Sequence, residues 1–96
     1  MKVPKSINIL GRKLTIKVGA NLHYQGQACL GLFDYEKKTI YLEKNQSSDS
    51  MRDTLYHKAC HYFLLLSGMD QKMSESEIEM YCQLITAFVN DMKQIK

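Results

Sequence analysis

Apolar and polar residues alternate at Ile7 and Ile9, and again at Leu14, Ile16 and Val18. A period of two marks strands with one buried face. Gly11-Arg12 separates the two runs and predicts a tight hairpin turn. Pro4 suits the start of the first strand, where no ladder donor is needed. Ala28 to Phe33 and Thr39 to Leu42 predict two further short strands around a polar turn, Asp34 to Lys38. Gly31 inside the former points to a bulge or a close approach of backbone. Gly19 to Gln27 is polar and contains glycine, so it reads as a surface loop carrying His23.

From about residue 49 the period becomes helical. Met51, Leu55, Ala59, Tyr62 and Leu66 share one face, and His57, His61, Cys60 and Leu64 lie towards the other. A helix over about 49–67 with apolar residues on two sides belongs in the middle of a fold. Ser50 with Asp53 suggests its starting cap and Gly68 its stop. Ser74 with Glu77 is a capping box for a last helix over about 75–94. Its stripe is Ile78, Cys82, Ile85, Val89 and Met92, with Tyr81 beside it. The chain thus reads as a single domain over 1–96, with β-hairpins within 3–42 followed by two helices. The expected fold class is α+β, a small mostly antiparallel sheet packed against two helices.

Composition narrows the function classes. At 96 residues and 45% apolar, the chain can bury a modest core without staples. The longest apolar run, Tyr62 to Leu66, is too short to cross a membrane, and the N-terminus lacks an apolar signal region. Three cysteines without framework spacing argue for a reducing cytoplasm. The net charge is +3, and Lys2, Lys5, Arg12, Lys13 and Lys17 all precede the first acidic residue, Asp34. That bias fits a solvated hairpin face, or a face that meets an acidic partner. The absence of an RNA-binding aromatic motif or a zinc knuckle argues against direct nucleic-acid binding.

The candidate chemistry lies on the first helix. His57 and His61 are four residues apart, so both imidazoles leave the same face and can hold one zinc ion. Cys82, central on the facing stripe, is the expected third ligand. Glu79, one turn earlier and about 60 degrees round the helix, is an alternative. Cys60, three residues after His57, is another, and Cys29 could close a fourth position.

Arg52 to His61, reading Arg-Asp-Thr-Leu-Tyr-His-Lys-Ala-Cys-His, resembles the active-site helix of the small, phage-encoded, HExxH-type (zincin-like) metallopeptidase family. Val3 to Leu14 resembles that family's opening hairpin, and Leu30 to Leu42 its second strand pair. The resemblance implies a minimal zincin-like fold, a bound zinc and an edge strand beside the metal helix that takes peptide in extended form. Two departures stand out. The family's general-base glutamate falls at Lys58, and its third-ligand glutamate at Cys82. Lysine, with an ordinary pKa of about 10.4, holds its proton at neutral pH and cannot deprotonate a bound water. Loss of a positioned base costs roughly a hundred- to ten-thousand-fold in rate. A thiolate, by contrast, still holds zinc.

The expectation is therefore a zinc-binding pseudo-enzyme that acts in the cytoplasm by stoichiometric binding to a host protein. The phage setting of the resembled family points to an inhibitor of host defence, such as an anti-CRISPR protein directed at a CRISPR effector nuclease. The alternative is a residual zinc-dependent peptidase that uses Glu79 or Asp53 as its base.

Overall fold

The computed structural model describes residues 3–92. Six strands form: β1 (Ser6–Ile9), β2 (Arg12–Gly19), β3 (His23–Tyr24), β4 (Gln27–Ala28), β5 (Gly31–Asp34) and β6 (Thr39–Glu43). Helix α1 (Ser48–Ser67) and helix α2 (Glu75–Met92) follow, joined by a short 3-10 turn, Met69–Lys72. Four strands make the main sheet in the order β1-β2-β6-β5. The outer pairs, β1 with β2 and β5 with β6, are antiparallel, while β2 and β6 run parallel. The fold is α+β with a mostly antiparallel sheet, as the periodicity implies.

The first hairpin turns one residue earlier than Gly11-Arg12. Ile9 pairs with Arg12, and the turn is Leu10-Gly11, with φ of 50° and 78°. A two-residue turn with positive φ at both positions matches the twist of its strands, and glycine takes the second position without strain. The expected loop between Gly19 and Gln27 contains a small hairpin, β3 with β4. His23 is exposed on it, with Nδ1 2.8 Å from the Asn21 carbonyl. The strand expected over Ala28 to Phe33 is broken for the same reason. Cys29 donates its N–H to the Leu22 carbonyl at 3.0 Å, so the chain closes the small hairpin before joining the sheet at Gly31.

Leu14 and Ile16 of β2 and Ile40 and Leu42 of β6 form one buried face, which packs on Leu55 and Tyr62 of α1. Gly31 resolves to a close approach, not a bulge. A Cβ there would lie 2.5 Å from Thr54 Cγ2 and 3.3 Å from the Tyr41 carbonyl oxygen. Removing the side chain lets α1 lie against β5. On its other side α1 receives α2, where Leu64, Cys82 and Thr86 are buried. The rest of α2 faces outward. Met80, Leu84 and Phe88 remain 59%, 63% and 61% exposed, an unusual exposure for large apolar side chains one turn apart.

Both helices are capped by local chemistry. The Ser47 hydroxyl accepts from the Ser50 N–H at 3.1 Å, so the cap of α1 is Ser47 and not Ser50. Gly68, with φ 78°, ends α1 and donates to the Leu65 carbonyl. At α2, Ser74 Oγ accepts from Glu77 N–H at 3.2 Å and Glu77 Oε1 accepts from Ser74 N–H at 2.9 Å. This is the reciprocal capping box read from the sequence. The last turn expected for α2, at 93 and 94, lies outside the described residues. Among the described residues, no helix is long and apolar enough to cross a membrane.

Candidate metal centre

One turn of α1 carries His57 above His61, and their Nε2 atoms lie 3.1 Å apart. Glu79, near the start of α2, reaches over to both. Its Oε1 is 3.0 Å from His57 Nε2 and its Oε2 is 3.3 Å from His61 Nε2. The three side chains lie close enough to hold a metal ion. Both imidazoles are largely shielded, whereas Glu79 is half exposed, so the group opens to solvent on the carboxylate side.

Two of the three groups are shifted from their ordinary pKa values. Burial holds the His61 imidazole below its ordinary pKa, helped by the charges of His57 and Lys58 and opposed by Glu79. Burial alone would raise Glu79. The hydrogen bond and charge of His57, with the charge of His61, outweigh it and hold the carboxyl below its usual range. Neutral imidazole and ionised carboxylate are the metal-binding states of these groups.

Cys82, the third ligand expected from the sequence, is not among the side chains grouped with the histidines; Glu79, the alternative, is. Cys82 is fully buried and meets Cys60 across the α1–α2 contact. Burial, the Cys60 hydrogen bond and nearby charge push its thiol up to about 12. The reason is rotational. Cys60 is the α1 residue that meets Cys82, and the histidines meet Glu79, one turn earlier on α2. Cys60 is likewise outside the ligand group, taken up by the contact with Cys82. All three cysteines are free.

A groove of about 660 Å³ runs past the site. Cys29, Leu30 and Gly31 line it from the sheet side, and His57, Lys58 and Glu79 from the helices. Cys29 therefore faces the same space without entering the ligand group. Lys58 lies within the groove, its Cε 3.6 Å from where a Gly31 Cβ would sit. Asp53, one turn before His57, accepts from Asn90 Nδ2 at 2.7 Å and lies 3.7 Å from the Arg52 guanidinium.

A second supporting residue has no signal in the periodicity. Gln46 Nε2 donates to the carbonyls of Leu30 and Glu43, and its Oε1 accepts from the Ser50 hydroxyl at 2.6 Å. It ties the start of α1 to the strand end that walls the groove. Gln46 is a polar loop residue in the sequence, and its contacts exist only after β5 and β6 pair. Comparison with protein-family models, curated proteins and solved structures finds no match.

Proposed function

We propose that this chain is a zinc-binding protein without peptidase activity that acts by binding another protein in fixed proportion. The observation that carries the zinc reading is the grouping of His57, His61 and Glu79: the two Nε2 atoms are 3.1 Å apart, Oε1 is 3.0 Å from His57 and Oε2 3.3 Å from His61, and one ligand atom from each residue lies within 4.8 Å of the others. Tetrahedral bonds of about 2.0–2.1 Å place neighbouring ligand atoms about 3.3 Å apart. Two imidazoles and one carboxylate suit zinc and leave one coordination position for another ligand.

Two features support a non-hydrolytic role. Lys58 follows His57 where a general base would serve, and a protonated ammonium accepts no proton. The other acids nearby are committed: Asp53 to Asn90 and Arg52, Glu79 to the histidines. Protein binding is supported by the outward stripe of α2, where Met80, Tyr81, Leu84, Ile85, Phe88 and Met92 are all exposed. Lys5, Lys13 and Lys17 supply exposed positive charge for an acidic surface. A host protein as the partner, with a CRISPR effector among the candidates, rests on the resemblance to a phage-encoded family.

Metal analysis of protein purified without a metal-affinity tag tests the centre. The expected result is close to one zinc per chain, with no zinc-dependent cleavage of casein. Zinc content that stays near zero after zinc is added removes the metal reading. Cleavage that vanishes in His61→Ala removes the non-enzymatic one.

A further inference from the structure

We infer that the groove lined by His57, Lys58 and Glu79 is a receptor for a carboxylate, which takes the open coordination position with one oxygen and accepts from the Lys58 ammonium with the other. The inference rests on the metal reading and adds a ligand to it. Three observations lead there. Lys58 is directed into the groove, not away from it, since its stem lies across the strand backbone at Gly31. Lys58 lines the groove together with His57 and Glu79, two of the three side chains of the centre, so its charge stands beside them. The groove is open on the carboxylate side of the ligand group, so a ligand can enter beside Glu79.

Charge explains why a ligand is called for. A dication, the Glu79 carboxylate and the Lys58 ammonium leave the cluster with an excess of positive charge. A base-type glutamate at position 58 would reverse the sign of that residue. The ammonium and the cation repel each other, and an anion set between them removes the repulsion. Metal and anion therefore bind with positive coupling, and each raises the affinity for the other. A carboxylate is the smallest anion with one oxygen for the cation and one for the ammonium, and phosphate is the competing anion that the experiment sets against it. An acidic side chain or the free end of a chain can supply the carboxylate.

Cobalt-loaded protein reads this directly, because its visible absorption changes when a new ligand enters the coordination sphere. Acetate is titrated into wild type, Lys58→Met and Lys58→Arg, with acetamide as the neutral control and inorganic phosphate as the dianion. Acetate should saturate the wild-type site, Lys58→Met should weaken acetate about tenfold, and Lys58→Arg should retain it. Lys58→Met should at the same time bind cobalt more tightly without acetate, because the repulsion is gone. A purely structural lysine cannot produce those opposite signs. Two peptides separate the sources of carboxylate: one with an internal aspartate and an amidated end, the other neutral with a free C-terminus. Competition with acetate by either supports the receptor and identifies its source. Cobalt binding with no response to acetate, or with equal acetate affinity in Lys58→Met, overturns the receptor and leaves the metal centre standing. Phosphate binding more tightly than acetate overturns the choice of carboxylate. Failure of all three proteins to take up cobalt removes the metal centre, and the receptor with it.

Discussion

Cys82 and Glu79 stand three residues apart on α2, and their fates differ because one points along the helix contact and the other past it. That difference can be measured. Glu79→Gln should lower metal content sharply, because it removes a charged ligand while leaving the fold in place. Cys82→Ala should keep the metal and lower stability by about 1 kcal/mol, the cost of trimming a small buried group. The opposite pattern in metal analysis would return Cys82 to the ligand set. Gly31 gives a second single-residue test. Its added Cβ would press on the Thr54 methyl, a β-branched side chain held stiffly in a helix. Gly31→Ala should therefore cost about 1–3 kcal/mol in denaturant melts. A neutral effect would mean that α1 can draw back from β5.

The elements are held at their ends by polar contacts, and one of these carries a pH dependence. Glu43, the last residue of β6, accepts from the Leu22 N–H at 2.9 Å and from the Asn45 N–H at 3.1 Å. Those bonds, Leu22 first, hold its carboxyl below the ordinary value of 4.5. The unfolded chain thus binds the proton more readily. The contribution of Glu43 is complete above about pH 5 and is lost as pH falls through the lowered folded value. Thermal melts from pH 6 to about pH 3 should fall less steeply for Glu43→Gln than for wild type. Parallel curves would remove Glu43 as a source of the acid sensitivity. The capping box of α2 is a separate element-level contact. Ser74→Ala should cost about 1 kcal/mol, since the Glu77 N–H loses its acceptor.

Across the whole molecule, the layers are sheet, α1 and α2, and the two outer surfaces differ in character. The sheet side carries Lys13 and Lys17, both exposed, and the far side carries the apolar stripe of α2. The stripe makes no demand on folding. Leu84→Gln should change the stability of the isolated chain by no more than about 0.5 kcal/mol. A larger loss would mean that the face is covered in the free protein. A partner complex that uses both surfaces should weaken with rising salt through Lys13 and Lys17, and should be lost in Leu84→Gln without any loss of fold.

Local regularities were legible in the sequence because each is decided by neighbours in the chain. The alternation of Ile7 and Ile9, the helical period after residue 49, the stop at Gly68 and the Ser74–Glu77 box all depend on contacts within a few residues. The same holds for the pairing of His57 with His61, which one helical turn imposes. The sequence reading places the cap of α1 at Ser50, but Ser47 carries a hydroxyl too, and only the path of the chain out of β6 selects it. Which residue of α2 joins the histidines, Cys82 or the alternative Glu79, was not decided by local reasoning. A helical wheel gives the direction of each side chain about its own axis but not the rotation of one helix against another. That rotation follows from packing α1 simultaneously on the sheet through Leu55 and Tyr62, against the bare backbone of Gly31, and on α2 through Cys60 and Cys82. Tertiary packing therefore set Cys82 against Cys60 and brought Glu79 to the histidines.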